Sequence, residues 1–145
     1  MSDKDYSELE VVKQWIVVRR YYPDGKGGQR KLRLGKYIAQ ACHASIKWIS
    51  DRLEIDNYVN IGQIWLSSDE QEWLENGFTK ITLYVDTEEE LLTLYEKCVE
   101  SNIMTHLITD SGKTEFNDVL TPTCLAVGPC RESKVKDILG KLSLL

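Results

Sequence analysis

An α/β sandwich around a mixed sheet is the fold this sequence predicts, and three observations carry it. Apolar, β-branched runs alternate with segments of helical periodicity. Two strand-like runs, 106–109 and 124–127, follow one another with no helix between them, which makes them a hairpin and the sheet mixed. The chain has 145 residues, the length of one domain, enough to bury about two thirds of the surface an unfolded chain exposes.

The elements read in the order strand, helix, helix, strand, helix, strand, strand, helix. Residues 14–20 (QWIVVRR) form the first strand, a β-branched run. Tyr22-Pro23-Asp24-Gly25 is turn chemistry. A long helix spans about 35–53. The stretch 55–66 fits neither period, with Trp65 expected to pack inward. A capping box at Ser68 and Gln71 opens a short helix that stops near Asn76-Gly77. Residues 81–85 are the next strand. Thr87 and Glu90 make a second capping box, and that helix continues to about Ser101. The hairpin strands follow, and a last helix over 132–139 ends at Gly140. One domain, 1–145, is expected, with a flexible N-terminus over 1–12.

Composition narrows the function. No apolar run approaches the ~20 residues that span a bilayer. Met1 to Asp5 lacks the apolar core of a secretory signal. Cys42, Cys98, Cys124 and Cys130 show neither C-x-x-C pairing nor zinc-ribbon spacing, and three of the four lie in apolar runs. Small buried thiols in a reducing cytoplasm are therefore expected, with no metal and no cofactor.

Charge is distributed unevenly. Residues 19–36 hold Arg19, Arg20, Lys26, Arg30, Lys31, Arg33 and Lys36 against Asp24 alone, a local +6 in a chain of net −5, so the remainder carries −11. Such a segment in an acidic protein suits an anionic partner. The long helix adds a polar stripe. Lys36, Gln40, His43 and Lys47 are spaced 4, 3 and 4 and share one face. Ile38, Cys42, Ser45, Ile49 and Leu53 lie opposite, on the face expected to bury. On the residues alone the stripe reads equally as a solvated helix face.

Four segments in order resemble the type 2 peptidyl-tRNA hydrolases. They are QWIVVRR with the later G-K-x-x-A-Q-A-C-H-A (35–44), KITLYVDTEEELLTLYEKC (80–98), THLITDSGKTEF (105–116) and TPTCLAVGP (121–129) with its G-P turn; KVKDILGKLSLL closes the chain in the family's manner. The resemblance covers roughly 13–145. It implies a three-layer α/β/α sandwich with a small four-stranded mixed sheet. It also implies cleavage of the ester joining a peptide to the terminal ribose of tRNA, with tRNA as partner, and it is compatible with a homodimer.

The chain departs from the family pattern in places. Arg33 and Leu34 stand where glycines are usual, and PDGKGGQRK (23–31) lengthens the loop before them. Asp-Ala-Gly-Arg-Thr-Gln becomes Asp110-Ser111-Gly112-Lys113-Thr114-Glu115. Lysine keeps the charge of arginine but loses its bidentate fork. Glutamate in place of glutamine puts a negative charge near a site for RNA.

An activated ester needs a positioned water, a proton acceptor and an oxyanion donor. No G-x-S-x-G elbow supplies a serine nucleophile. Cys42 and His43 are neighbours on a helix and diverge by ~100°, so they make no nucleophile–base pair. The expected catalytic set is Asp110 for the water, Lys36 for developing negative charge, and Gln40, His43 and Thr114 around them. Arg30, Lys31, Arg33, Lys113, Thr121 and Thr123 are the expected substrate contacts. Asp110 sits at a strand end, where α/β folds place ligands, and equally suits a turn aspartate in Asp-Ser-Gly. Lys36 sits at a helix end that disfavours cations, which points to use. A catalytically weak RNA-binding relative and a protein-interaction module centred on the Glu-rich helix remain as alternatives.

Overall fold

The computed structural model describes residues 10–145. Its first half holds β1 (Val12–Arg19), β2 (Tyr22–Pro23), β3 (Gln29–Arg30), α1 (Leu34–Arg52), β4 (Glu54–Asp56) and β5 (Ile61–Gln63). Its second half holds α2 (Ser68–Glu75), β6 (Lys80–Val85), α3 (Glu88–Glu100), β7 (Thr105–Asp110), β8 (Thr121–Arg131) and α4 (Glu132–Leu139). Four strands form the main sheet in the order β6-β1-β8-β7. β1 is parallel to β6 and antiparallel to β8, which is antiparallel to β7. The sheet is mixed and carries helices on both faces, the expected three-layer sandwich.

Alternation along the central strands sorts the two cores. Trp15 and Val17 of β1 join Leu125 and Val127 of β8 beneath Leu91, Leu94 and Cys98 of α3 and Val135 and Leu139 of α4. Ile16 and Val18 join Cys124, Ala126 and Ile108 beneath Ala44 of α1. Trp48 closes this side against Trp73 of α2, the rings edge-on at 6.1 Å. Gln14 is buried in the same layer, donating to Ser45 O at 2.9 Å and accepting from the Ser45 hydroxyl at 2.6 Å. No helix among the described residues is long and apolar enough to cross a membrane.

Several expectations are corrected. Val12 already belongs to β1 and is buried, so the expected flexible stretch 1–12 is too long; residues 1–9 of it lie outside the described residues. The face of α1 that buries is Gln40, Ala44 and Trp48. Ile38 and Cys42 of the predicted apolar face are exposed, because one helix lies over β8 and β7 and does not reach across β6. Residues 54–63 form an exposed β4–β5 hairpin, and Trp65 is 84% exposed instead of packed.

The first capping box sits one residue earlier, at Ser67 and Glu70. Glu70 decides that register: it is buried and bonds Arg52 at 2.6 Å, whereas Gln71 reaches only Glu75. The Thr87 hydroxyl accepts from Glu90 N, but the Glu90 carboxylate accepts from Asp86 N instead of closing the box. The Gly128-Pro129 pair is no turn. β8 runs through it to Arg131, with a register shift against β1 between Lys13 and Trp15. Gly128 has φ +85, and a Cβ there would press on Cys130 N at 2.7 Å and Lys13 O at 3.1 Å.

Two tryptophans test this packing. Trp48→Ala should cost about 3–5 kcal/mol in urea unfolding, since the ring is fully buried. Trp65→Ala should stay within ~0.5 kcal/mol. Equal effects would contradict the arrangement described.

Candidate active site

The N-terminus of α1 meets the C-terminal end of β7. Lys36 lies in the first turn of α1, which has no acidic residue and no side-chain cap at Arg33. A cation there opposes the helix dipole. Asp110 compensates: Lys36 Nζ donates to Asp110 Oδ1 at 3.2 Å and to Thr114 Oγ1 at 3.0 Å. Both side chains of the ion pair are mostly shielded, at 16% and 14% exposed. The second carboxylate oxygen, Oδ2, accepts from Gly112 N at 3.1 Å. Gly112 has φ +84, and any Cβ would collide with the Val119 backbone. Glycine is therefore required for the turn that aims its N–H at Asp110.

Gln40 follows one turn later and is buried. Its Oε1 accepts from the Thr123 hydroxyl at 2.6 Å, and its backbone carbonyl accepts from Cys124 Sγ at 3.2 Å. Burial pushes the Cys124 thiol up to about 12, so it serves as a neutral donor. Thr123 is 1% exposed and also reaches Ile108 O. It holds Gln40 and offers no surface to a substrate. Thr121 likewise spends its hydroxyl on Val119 O at 2.8 Å.

From this point a cleft of about 560 Å³ runs between α1 and β7, lined by Gln40, His43, Ile46, Lys47, Ser50 and residues 107–111. His43 is exposed on its wall. Of the expected catalytic residues, Lys36, Asp110 and Thr114 are in direct contact, and Gln40 and His43 share the cleft with Asp110. His106 lies further along, 3.9 Å from Asp51, with burial lowering its basicity.

The basic segment is partly neutralised from within. Arg33 donates to Glu115 Oε1 at 2.7 Å and Arg30 lies 3.7 Å from Oε2. Arg30 also donates to Glu115 O. The two departures Arg33 and Glu115 thus meet, and the extra negative charge is countered locally. Arg20 is held by Asp86 at 2.6 Å. Lys31 and Lys113 are exposed, and neither makes an ion pair among the described residues.

Three contributors were missed from sequence. Arg19 is buried, stacked 4.2 Å above the Tyr22 ring, and donates to Tyr21 O and Pro122 O. Tyr22 packs on Phe116 with centroids 5.0 Å apart. Together they floor the loop that follows Asp110. The readable signals were a cation at the end of an apolar run and a lone phenylalanine in a polar loop.

The Arg33 hydrogen bond is the main influence holding the Glu115 carboxyl below its ordinary 4.5, with Arg30 and Lys36 adding to it. A depressed carboxyl stabilises the fold above its unfolded value, and this contribution is lost as pH falls through the lower folded value. Acidification below pH ~4.5 should therefore release loop 111–120 from residues 30–33. Amide protection in that loop, measured against the intrinsic exchange rate at each pH, should fall with acid, and Arg33→Ala should abolish the step. A loop equally protected in both proteins at every pH would contradict the ion pair's role.

Comparison with known proteins gives the family. The family model described as "Peptidyl-tRNA hydrolase PTH2" matches residues 12–145. A protein of Sulfurisphaera tokodaii named peptidyl-tRNA hydrolase is 37% identical over 135 residues, covering 93% of this chain and 99% of its own. A Methanopyrus kandleri protein of the same name is 35% identical over 135 residues, with coverage of 93% and 99%. One from Methanothermobacter thermautotrophicus is 34% identical over 134 residues, with coverage of 92% and 100%. On a match that spans all four sheet strands and nearly the whole length of each relative, the chain belongs to the PTH2 family of peptidyl-tRNA hydrolases.

Proposed function

We propose that this protein hydrolyses the ester of peptidyl-tRNA by direct attack of water, with Asp110 and Lys36 as its working pair. The observation that carries this reading is the contact of these two side chains at 3.2 Å at the head of a cleft. Family membership supplies the reaction and makes tRNA the partner; the residue roles are argued from chemistry. The whole of 1–145 is taken as one working domain, acting in the compartment of translation.

Asp110 is acceptor-only when ionised, and Lys36 and Gly112 each occupy one of its oxygens. Each oxygen keeps a further lone-pair direction for a water. That water loses its proton to Asp110 as its oxygen bonds the ester carbon. An ammonium has three donors, and two of those of Lys36 are directed at Asp110 and Thr114. The third is left for the carbonyl oxygen as it becomes an oxyanion. Collapse of the tetrahedral species breaks the bond to the ribose oxygen, which leaves with the proton that Asp110 took from the water, returning Asp110 to its carboxylate. Gln40 has its carbonyl engaged by Thr123, leaving its amide N–H groups as donors toward the cleft. His43 contacts substrate from the cleft wall.

Cysteine has no part in this scheme. Among the described residues no three side chains of metal-binding type gather into a site. Arg30 and Arg33 act chiefly as anchors for Glu115, and the exposed Lys31 and Lys113 meet phosphate.

Asp110→Asn should preserve unfolding behaviour while lowering release of an N-blocked aminoacyl group from tRNA by roughly 10²–10⁴. Full activity in this variant would overturn the role of Asp110. Lys31→Ala and Lys113→Ala should each flatten the log–log salt dependence of tRNA binding by roughly 0.7, the share of one single-strand phosphate. An unaltered slope in the double variant would place the phosphates elsewhere.

A further inference from the structure

The two edges of the main sheet are treated differently. On the β6 edge the chain covers itself: Tyr84 N donates to Ser143 O, Leu145 N donates to Thr82 O, and Leu83 bridges Leu144. An unpaired edge invites another strand, and covering it prevents that. At the other edge β7 has β8 as its only strand neighbour among the described residues. This open edge ends at Asp110.

The outward-facing groups of β7 can be identified. Met104 O accepts from Gly128 N at 2.9 Å, and Ile108 O accepts from the Thr123 hydroxyl at 3.3 Å, so both face β8. Strand alternation then turns the backbone groups of Thr105, Leu107 and Thr109 outward. α1 lies over the face of β7, with Asp51 near His106, and leaves the edge open as a wall of the 560 Å³ cleft. Ile46 supplies apolar lining, while His43, Lys47 and Ser50 supply a polar rim.

We infer that the β7 edge is the subsite for the peptide of the substrate, which adds to the sheet as a further strand. This deepens the hydrolase reading and rests on it. An extended peptide carries the unpaired N–H and C=O groups that an open edge accepts. Its polarity follows from the chemistry. The scissile carbonyl lies at the peptide's C-terminal end and must reach Asp110. β7 also runs toward Asp110, from Thr105. The peptide therefore lies parallel to β7, with the evenly spaced, slanted hydrogen bonds of that pairing. At about 3.3 Å per residue, the six residues of β7 accommodate roughly four or five peptide residues. Binding through backbone groups gives tolerance of side-chain sequence, which suits an enzyme acting on varied peptides.

The test compares esters on one tRNA: N-acetyl-alanyl, N-acetyl-pentaalanyl, and two pentaalanyl forms N-methylated at alternate positions in opposite phase. The pentapeptide should show kcat/KM roughly tenfold higher than the single residue, the effect of a few strand hydrogen bonds. One methylation phase should abolish that gain and the other should leave it, because only alternate peptide N–H groups face the sheet. Thr109→Pro removes an outward N–H at an exposed edge position, where proline is tolerated. It should bring the ratio of pentaalanyl to alanyl kcat/KM down to about one. Equal kcat/KM at both lengths, or equal sensitivity to both methylation phases, overturns the strand subsite alone. Absence of hydrolysis of every ester overturns the hydrolase reading and this one with it.

Discussion

The site depends on how α1 is fixed over β8. A helix resting on a sheet through apolar contacts alone can slide and roll at small cost. Here Gln40 removes that freedom: its side-chain carbonyl takes the Thr123 hydroxyl and its backbone carbonyl takes the Cys124 thiol. Buried polar groups lose a great deal when unpaired, so α1 has one favourable rotation and one favourable depth. Gln14 and Ser45 repeat the device further along the helix. With α1 held at two heights, Lys36 is presented to the end of β7, and the ion pair with Asp110 follows from the frame.

Electrostatics completes the arrangement. A chain of net −5 collects cations before α1, then restrains several of them with single acids from distant segments. Asp86 takes Arg20, Asp110 takes Lys36, and Glu115 takes Arg33. Each pair ties a loop to the sheet end, so charges that would repel one another become the struts of the cleft mouth. Exposed pairs contribute little stability individually; their effect here is to fix geometry where the substrate arrives.

Most of the fold was legible because strand and helix periods differ so clearly in VKQWIVVR, KITLYV and the segment 88–100. The meeting of Lys36 with Asp110 was legible too, from one helix face and one strand end. What escaped notice depended on partners distant in sequence. Periodicity alone could not tell which apolar stripe of α1 would bury, since that depends on how far one helix reaches across four strands. The register of the first capping box turned on Arg52 drawing Glu70 inward. Thr123 looked like a substrate contact until its neighbour Gln40 was known. Arg33 and Glu115 looked like separate departures, because nothing local in either segment reports the other.

The central ladder has a consequence for how the protein is made. β1 is synthesised well before its antiparallel neighbour β8, with Val18 facing Cys124 and Val12 facing Arg131. Its parallel neighbour β6 also comes much later. Pairings so distant in the chain close slowly. Until they close, Trp15-Ile16-Val17-Val18, wholly interior in the finished sheet, is an uncovered β-prone stretch on the nascent polypeptide. Such stretches are where misassociation begins. During its own translation this protein is therefore most exposed to aggregation between emergence of β1 and arrival of β8, an interval set by topology and independent of the stability of the completed molecule.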